Sequence, residues 1–474
     1  MARKSYDVDL AVIGGGTAGL VGAQTAAGLG ARVMLIEERR TGGDCLYTGC
    51  VPSKALLAAG SAVAAARRAS RYGVDVEAVT VDFARVMQHV RDAIAHIEPA
   101  DSPEALEAAG VSLLPGRAHV LPDGGVRVDG RTISARHVLI AVGSDPAVPA
   151  VPGIGDVHVL TNENLWDLEV LPRELVILGG GPVGCELAQA FARLGSSVTI
   201  VQRGARVLPR EDPEASAILV TALEDDGVRI LLEDSAASVT ADGSGGGRVT
   251  TTSGRDLRFT HLLAAAGRTP RSAGFGLEEA GVVLDDAGSI VTDRHLRTSV
   301  PGIWAAGDVT AHPKYTHTAG VHASIAAGNA ILGPLRTVSG IEPPRVTFTD
   351  PEIAAVGRPT GRGGIEHTVS HSYQDRAVTE QRMEGFTRLV FDRRGRLTGG
   401  TIVGPRAGES LGEVCLAVER KLSATAVAGV THPYPTHNDG VWNAAIAQTP
   451  KVLAQPVLVA AGRLARRLQE RRTS

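Results

Sequence analysis

Two stretches of this chain repeat one pattern, and that repetition constrains the fold more than any other feature. Near the start, "DVDLAVIGGGTAGLVGAQTAAGLGARVMLIEE" reads as an apolar strand, a glycine turn, a small-residue helix and a second strand. Gly14, Gly16 and Gly19 give G-x-G-x-x-G in the strand-to-helix setting that a dinucleotide-binding turn requires. The first glycine permits the tight turn and the second lets backbone approach a pyrophosphate. The third lets the helix pack on the strand, with its N-terminus facing the phosphates. Glu37 closes the next strand 23 residues on (37 − 14), where a carboxylate can bond a ribose hydroxyl. The pattern returns in "ELVILGGGPVGCELAQAFARLGSSVTIVQR", with Gly179, Gly181 and Gly184. The matching position, again 23 residues on (202 − 179), holds Gln202, followed by Arg203 and, close by, Arg206. A neutral side chain with arginines beside it suits a 2′-phosphate, and so NADPH over NADH. Two such units predict two dinucleotides with electrons passing between them.

A chain of 474 residues has room for about three domains. "HVLIAVGSDPAVPAVPG" (137–153) and "HLLAAAGRTPR" (261–271) read as the exits from the two units, and "IWAAGDVT" (303–310) as another buried strand. After the linker "SGIEPP" (339–344) the pattern shifts to alternating strands such as "FTRLVFD" and "LTGGTIVG", which predict an α+β domain with an antiparallel sheet. "ADGSGGG" (241–247) reads as a hairpin tip. The formal charge of −3 gives no reason to expect nucleic acid or an anionic membrane as partner. Asp7 and Asp9 interrupt the N-terminal apolar run, so it does not read as a signal peptide. No uninterrupted apolar run approaches a membrane span. The expected location is the cytoplasm.

"GGDCLYTGCVPSK" (42–54) places Cys45 and Cys50 five positions apart in a chain with only four cysteines. In a regular helix that spacing rises about 7.5 Å, beyond normal disulfide reach, so an irregular turn must join them. Gly49 and Pro52 supply one, and Pro52 suits the first turn of a helix through "SKALLAAGSAVAAARR". Cys50 then sits at a helix N-terminus, where the dipole favours a thiolate. A zinc clip lacks a second cysteine or histidine cluster, and a structural staple is out of place in a reducing compartment. The pair reads as a redox-active dithiol, with Cys185 and Cys415 as packing residues.

At this point the sequence resembles the class I pyridine nucleotide-disulfide oxidoreductases, a family that includes dihydrolipoamide dehydrogenase, glutathione reductase and mercuric reductase. "VIGGGTAG", the dithiol motif, "GGGPVGCELA", "AAGRTPR", "IWAAGDVT", "FTDPEIAAVG" and "HPYPTHND" all fall in family order. The resemblance implies an α/β fold of two Rossmann-like domains and a C-terminal α+β dimerisation domain. Residues 1–150 with 272–340 would bind FAD, 151–271 NAD(P)H, and 341–474 would form the dimer face. It further implies that Gly14, Gly16, Gly19, Glu37 and Asp308 hold FAD, with Gly43, Gly143 and Gly267 also at cofactor positions. Cys50 would be the charge-transfer thiolate, Cys45 the interchange thiol, and Lys54 the partner of Glu186 beside flavin N5. A homodimer is implied in which each partner's C-terminal segment completes the other active site.

One motif departs from the family. The family's H-P-T histidine and its following glutamate are replaced in "HPYPTHND" by Tyr434 and Asp439. A phenol with an ordinary pKa near 10 is a poor base at neutral pH, which argues against lipoamide or glutathione chemistry. Mercuric reductases also carry a tyrosine in this region, so the closest resemblance is to mercuric-reductase-like members. Those enzymes use an extra C-terminal cysteine pair, and no cysteine follows Cys415 here. His432 and His437 read as surface residues, and the basic tail "PVLVAAGRLARRLQERR" as a solvated terminal helix. The expected acceptor is a disulfide or a soft metal ion. The alternatives are direct flavin reduction of quinone or oxygen, and a redox-sensing flavoprotein.

Overall fold

The computed structural model describes residues 5–243, 245–357, 364–453 and 456–473. The chain divides into two compact units: residues 1–203 with 234–340, and residues 204–233 with 341–474. The boundary at 340/341 falls inside the expected linker.

The first unit holds both repeats. In the first, Val8–Ile13 is the middle strand of a parallel sheet ordered Ile303–Ala305, Ala135–Ile140, Val8–Ile13, Val33–Glu37 and Val111–Pro115. Alternation along it explains why it is apolar throughout. Ala11 and Ile13 face one buried cluster and Leu10 and Val12 another, as expected for a sheet covered on both sides. The second cluster is built from Ala23 and Ala26 of the helix Thr17–Gly28 and Ala323, Ala326 and Ala327 of Thr316–Leu332. Small side chains let these helices approach closely, so a chain with 3% aromatics still packs. The second repeat has the parallel neighbours Ser197–Gln202, Glu174–Leu178, His261–Ala264 and Val159–Leu160. Strands Ala236–Ala241 and Gly247–Thr251 form the expected hairpin, at whose tip Ser244 lies outside the described residues.

Among the described residues one stretch, 43–67, is by length and composition long and apolar enough to cross a membrane (mean hydropathy 1.3), although Asp44 and Lys54 interrupt it. This stretch packs against the helices Phe83–Ile97 and Pro182–Leu194, and it carries both dithiol cysteines.

In the second unit, Arg345–Thr347, Glu352–Gly357, Leu397–Gly404, Phe386–Phe391 and Ile365–Ser370 form the expected antiparallel sheet, in that order. The helices Ala407–Glu419 and Asp439–Leu453 contribute to its core. Segment 204–233 is tied to this sheet by buried charges. Arg345 pairs with Glu211 at 2.8 Å, their side chains 5% and 8% exposed, and Arg388 pairs with Asp212 and Glu214.

Candidate active site

The first and third glycines of each turn leave no room for a side chain. Gly14 has φ +103°, and a Cβ there would lie 2.5 Å from the Ala141 carbonyl oxygen; a Cβ on Gly19 would lie 1.7 Å from the Gly14 oxygen. In the second turn Gly179 has φ +120° with 2.4 Å to the Ala265 oxygen, and Gly184 has 2.0 Å to the Gly179 oxygen. Gly43, at φ +57°, packs on the first turn, its added Cβ 2.6 Å from the Gly16 Cα. A Cβ on Gly181 would meet open space.

The helix N-termini divide into two kinds. Those beginning at Phe83, Pro103, Pro213 and Ala424 are capped by Asp82, Ser102, Asp212 and Ser423 side chains. Those beginning at Thr17, Gly43, Cys50, Pro182, Thr316, Asp375 and Ala407 have no side-chain cap. Uncapped N–H groups at a glycine turn are what a pyrophosphate accepts. Gly14, Glu37, Glu38, Gly116, Arg117 and Arg271 line a small cleft at the ends of the first strands.

At the strand ends the two repeats hold their loops alike. Glu37 accepts from the backbone N–H groups of Gly15 (2.5 Å) and Arg39 (2.8 Å), and Gln202 accepts from Gly180 N–H at 3.0 Å. Arg203 is exposed, and Arg206 donates to the Pro209 carbonyl at 2.9 Å. Gly143 (φ +76°) and Gly267 (φ +127°) start the two arms of a short ribbon, Ser144–Pro146 against Arg268–Pro270. Asp308 accepts from Ser144 Oγ at 2.8 Å.

The dithiol segment breaks where the spacing requires. Cys45 lies in the short helix Gly43–Tyr47, and Cys50 opens the helix Cys50–Arg67. Both are half-buried free thiols. Cys50 Sγ lies 3.2 Å from Thr316 Oγ1, at the start of another uncapped helix. A hydrogen bond from Cys45, helped by Thr316 and the Lys54 charge, draws the Cys50 thiol down to about 6, while the same bond and burial push Cys45 up. Cys50, the sulfur drawn down, is also the one at the helix N-terminus, where the dipole favours a thiolate. Lys54 Nζ meets Glu186 Oε2 at 2.9 Å, joining the dithiol helix to the helix of the second glycine turn. Glu186 is 5% exposed. Cys185 is fully buried, and burial raises the thiols of both Cys185 and Cys415.

The C-terminal motif differs from its sequence reading. Tyr434 is 67% exposed, and its hydroxyl donates to Asp375. Asp439 is buried at the start of its helix and accepts from Thr436 N–H (3.2 Å) and Oγ1 (3.1 Å). The two histidines are not surface residues. His432 bonds Glu413 at 2.9 Å and stacks on Trp442, and His437 bonds Glu380 at 3.1 Å, with side chains 6% and 8% exposed. Their partners lie 19 and 57 residues away, so the local sequence carries no signal of burial. His437, Thr436, Arg376 and Arg406 line a cavity in this unit.

Fold and site together define an oxidoreductase built on two dinucleotide turns and a dithiol. The family model for pyridine nucleotide-disulphide oxidoreductase matches residues 8–323, and that for the family's dimerisation domain matches 343–445. The chain belongs to the class I pyridine nucleotide-disulfide oxidoreductase family. It is 36% identical over 457 residues to a mercuric reductase of Streptomyces lividans, covering 92% of this chain and 95% of that protein. A dihydrolipoyl dehydrogenase of Chlamydia muridarum is 32% identical over 441 residues, covering 90% and 94%. Among solved structures, LpdA of Mycobacterium tuberculosis matches with TM-score 0.85 and 29% identity over 93% of this chain and 99% of that one. The HOCl-induced flavoprotein disulfide reductase RclA of Escherichia coli, as its Cu(II) complex, matches with TM-score 0.82 and 25% identity over 94% and 100%. The family is FAD-dependent and uses a pyridine nucleotide.

Proposed function

We propose that this chain passes electrons from NADPH through FAD to the Cys45–Cys50 pair and on to a disulfide or a soft metal ion. Residues 1–150 with 272–340 would hold FAD, 151–271 NADPH, and 341–474 the dimer face. FAD, when bound, supplies the exchange between hydride and electron pair. Gly14, Gly16, Gly19, Glu37, Gly43, Gly143 and Asp308 would hold it. Gly179, Gly181, Gly184, Gln202, Arg203, Arg206 and Gly267 would hold NADPH, and Lys54 with Glu186 would lie near the flavin.

The cysteines then do thiol chemistry. Two electrons break the Cys45–Cys50 bond, leaving a thiolate at Cys50 and a thiol at Cys45. Once deprotonated, Cys45 attacks one sulfur of the acceptor, forming a mixed disulfide and expelling the first product thiolate, which takes a proton. Cys50 thiolate attacks Cys45 sulfur, expels the second product and restores the pair. With a soft divalent ion, the two thiolates ligate the metal. The observation that carries this reading is Cys50 at an uncapped helix N-terminus, facing both Cys45 and Thr316. A homodimer, working in the cytoplasm, would bring the Tyr434 and Asp439 segment of a second copy to the dithiol. The ordinary lack of basicity of a phenol favours the soft-metal acceptor over lipoamide.

NADPH consumption by wild type and Cys45→Ser, against lipoamide, small disulfides, Hg(II) and quinones, tests this. The variant should lose at least about 10³-fold on a disulfide or Hg(II). If only quinone turns over, equally in both proteins, the flavin reduces its acceptor directly and the dithiol reading is wrong.

A further inference from the structure

A cluster of charged and polar groups beside the dithiol centres on Arg268. Arg268 lies on the ribbon through which the chain leaves both parallel sheets, with Arg268 opposite Pro146 and Pro270 opposite Ser144. Its side chain is three-quarters buried, and oxygens of Ser144, Asp308 and Asp44 converge on it. Nε donates to Ser144 Oγ at 2.7 Å and lies 3.4 Å from Asp308 Oδ2, and Nη2 donates to the Ser144 carbonyl at 2.9 Å. Nη2 also lies 2.9 Å from Asp44 Oδ2. The other Asp44 oxygen accepts from Asn162 Nδ2 at 2.8 Å and from Thr48 Oγ1.

Asp44 immediately precedes Cys45, and its charge opposes ionisation of both sulfurs. The groups facing Cys50 are few. Cys45 and Asp44 come from the short helix, Thr316 from the helix Thr316–Leu332, and Lys54 from Cys50's own helix with Glu186 behind it. Since Lys54 is already paired with a buried carboxylate, Asp44 needs its own counter-charge. A lysine could not replace the planar fork, which reaches Asp44 with one nitrogen and Asp308 with another.

We propose that Arg268 is a positioning residue of the dithiol: it neutralises Asp44 so that a thiolate can persist at Cys50, and it locks the cysteine loop to the ribbon joining the two sheets. This rests on the dithiol reading above. Substitution of Arg268 leaves a carboxylate uncompensated beside the sulfurs and frees the loop from Ser144.

The test uses holoenzyme reduced by NADPH and alkylated with iodoacetamide between pH 5 and 9, with the modified sulfur located by fragmentation of the 41–54 peptide. Wild-type Cys50 should titrate near 6. Arg268→Met should raise that midpoint by about one pH unit, a tenfold loss of thiolate below it. Asp44→Asn in the same chain should bring it back, which a merely structural role for Arg268 would not allow. Arg268→Lys should give an intermediate midpoint. An Arg268→Met profile overlying wild type overturns the proposal, as does a raised midpoint that Asp44→Asn does not restore in a protein retaining its flavin spectrum. Turnover unaffected by Cys45→Ser would overturn the dithiol reading, whereas the Arg268→Met titration is compared with wild type with Cys45 in place, so the two failures are distinguishable.

Discussion

The two glycine turns are near copies in backbone and differ in what they offer a ligand. Both hold their first glycine at strongly positive φ, both bring the third against the first glycine's oxygen, and both open an uncapped helix. In each, the residue 23 positions on bonds the N–H after the first glycine. There the likeness stops. Glu37 brings a charge, and Gln202 the same bond without one. The first turn is roofed by Gly43, whereas Gly181 faces open space. The shared features are those any pyrophosphate needs, and the strand-end difference falls where, under the proposed function, an adenosine ribose would sit. On the proposed reading, the backbone would select the class of ligand and the strand-end side chain the member.

The largest test of this division replaces the third glycine of each turn. Gly19→Ala forces a methyl to within 1.7 Å of a carbonyl, and Gly184→Ala to within 2.0 Å. Both turns must open, since the obstacle is backbone. Gly19→Ala is expected to purify without flavin absorbance. Gly184→Ala should keep the flavin and lose reduction by NADPH at any practical concentration. Loss of flavin from both variants would show that the turns are not independent sites.

Lys54→Met comes next, because Lys54 and Glu186 link the helices belonging to the two turns. Removing the lysine takes one charge partner from the buried Glu186. The expected cost is about 2–3 kcal/mol, below that of a fully buried pair because Lys54 remains partly in water. A lowered Tm, with partial recovery in Lys54→Met/Glu186→Gln, supports the link. An unchanged Tm would mean the pair contributes nothing to holding the helices together.

What the sequence disclosed follows the range of each interaction. The turns were legible because their constraints act within about thirty residues and select glycine, which leaves a mark in one letter. Lys54 and Glu186 were legible only through family resemblance, being 132 positions apart. Thr316 beside Cys50, and Arg268 between Asp44 and Asp308, were missed altogether. Threonine and arginine are ordinary letters, and their partners come from distant parts of the chain. The same blindness misread His432 and His437, whose glutamate partners take them out of solvent. The ion pairs Glu211–Arg345 and Asp212–Arg388, which carry segment 204–233 into the second unit, span 134 and 176 positions and had no local signature either.

Exchanging the strand-end residues sharpens the comparison further. Gln202→Glu keeps an acceptor for Gly180 N–H and adds a charge where a 2′-phosphate would sit. It should raise KM for NADPH by about 10–100-fold and improve NADH, since a carboxylate suits a free 2′-hydroxyl. Glu37→Gln keeps the Gly15 bond and weakens the grip on a ribose hydroxyl, so flavin retention should fall about tenfold in a dilution assay. If Gln202→Glu leaves the ratio of NADPH to NADH efficiency unchanged, coenzyme choice is made elsewhere.

The smallest effect separates the two arginines that follow Gln202. Arg203 is exposed and has no recorded hydrogen bond or ion pair among the described residues, so it can turn toward an anion at little cost. Arg206 already donates to the Pro209 carbonyl, which braces its side chain against the loop. Arg203→Ala should therefore raise KM for NADPH about threefold to tenfold, and the gap from wild type should shrink with added salt, as expected for a solvent-exposed contact. Arg206→Ala should do less, while loosening the loop it braces. NADH kinetics should be indifferent to Arg203, because the contact exists only with the extra phosphate. Equal losses for both coenzymes would instead make Arg203 a scaffold residue and leave Gln202 alone to distinguish the second turn from the first.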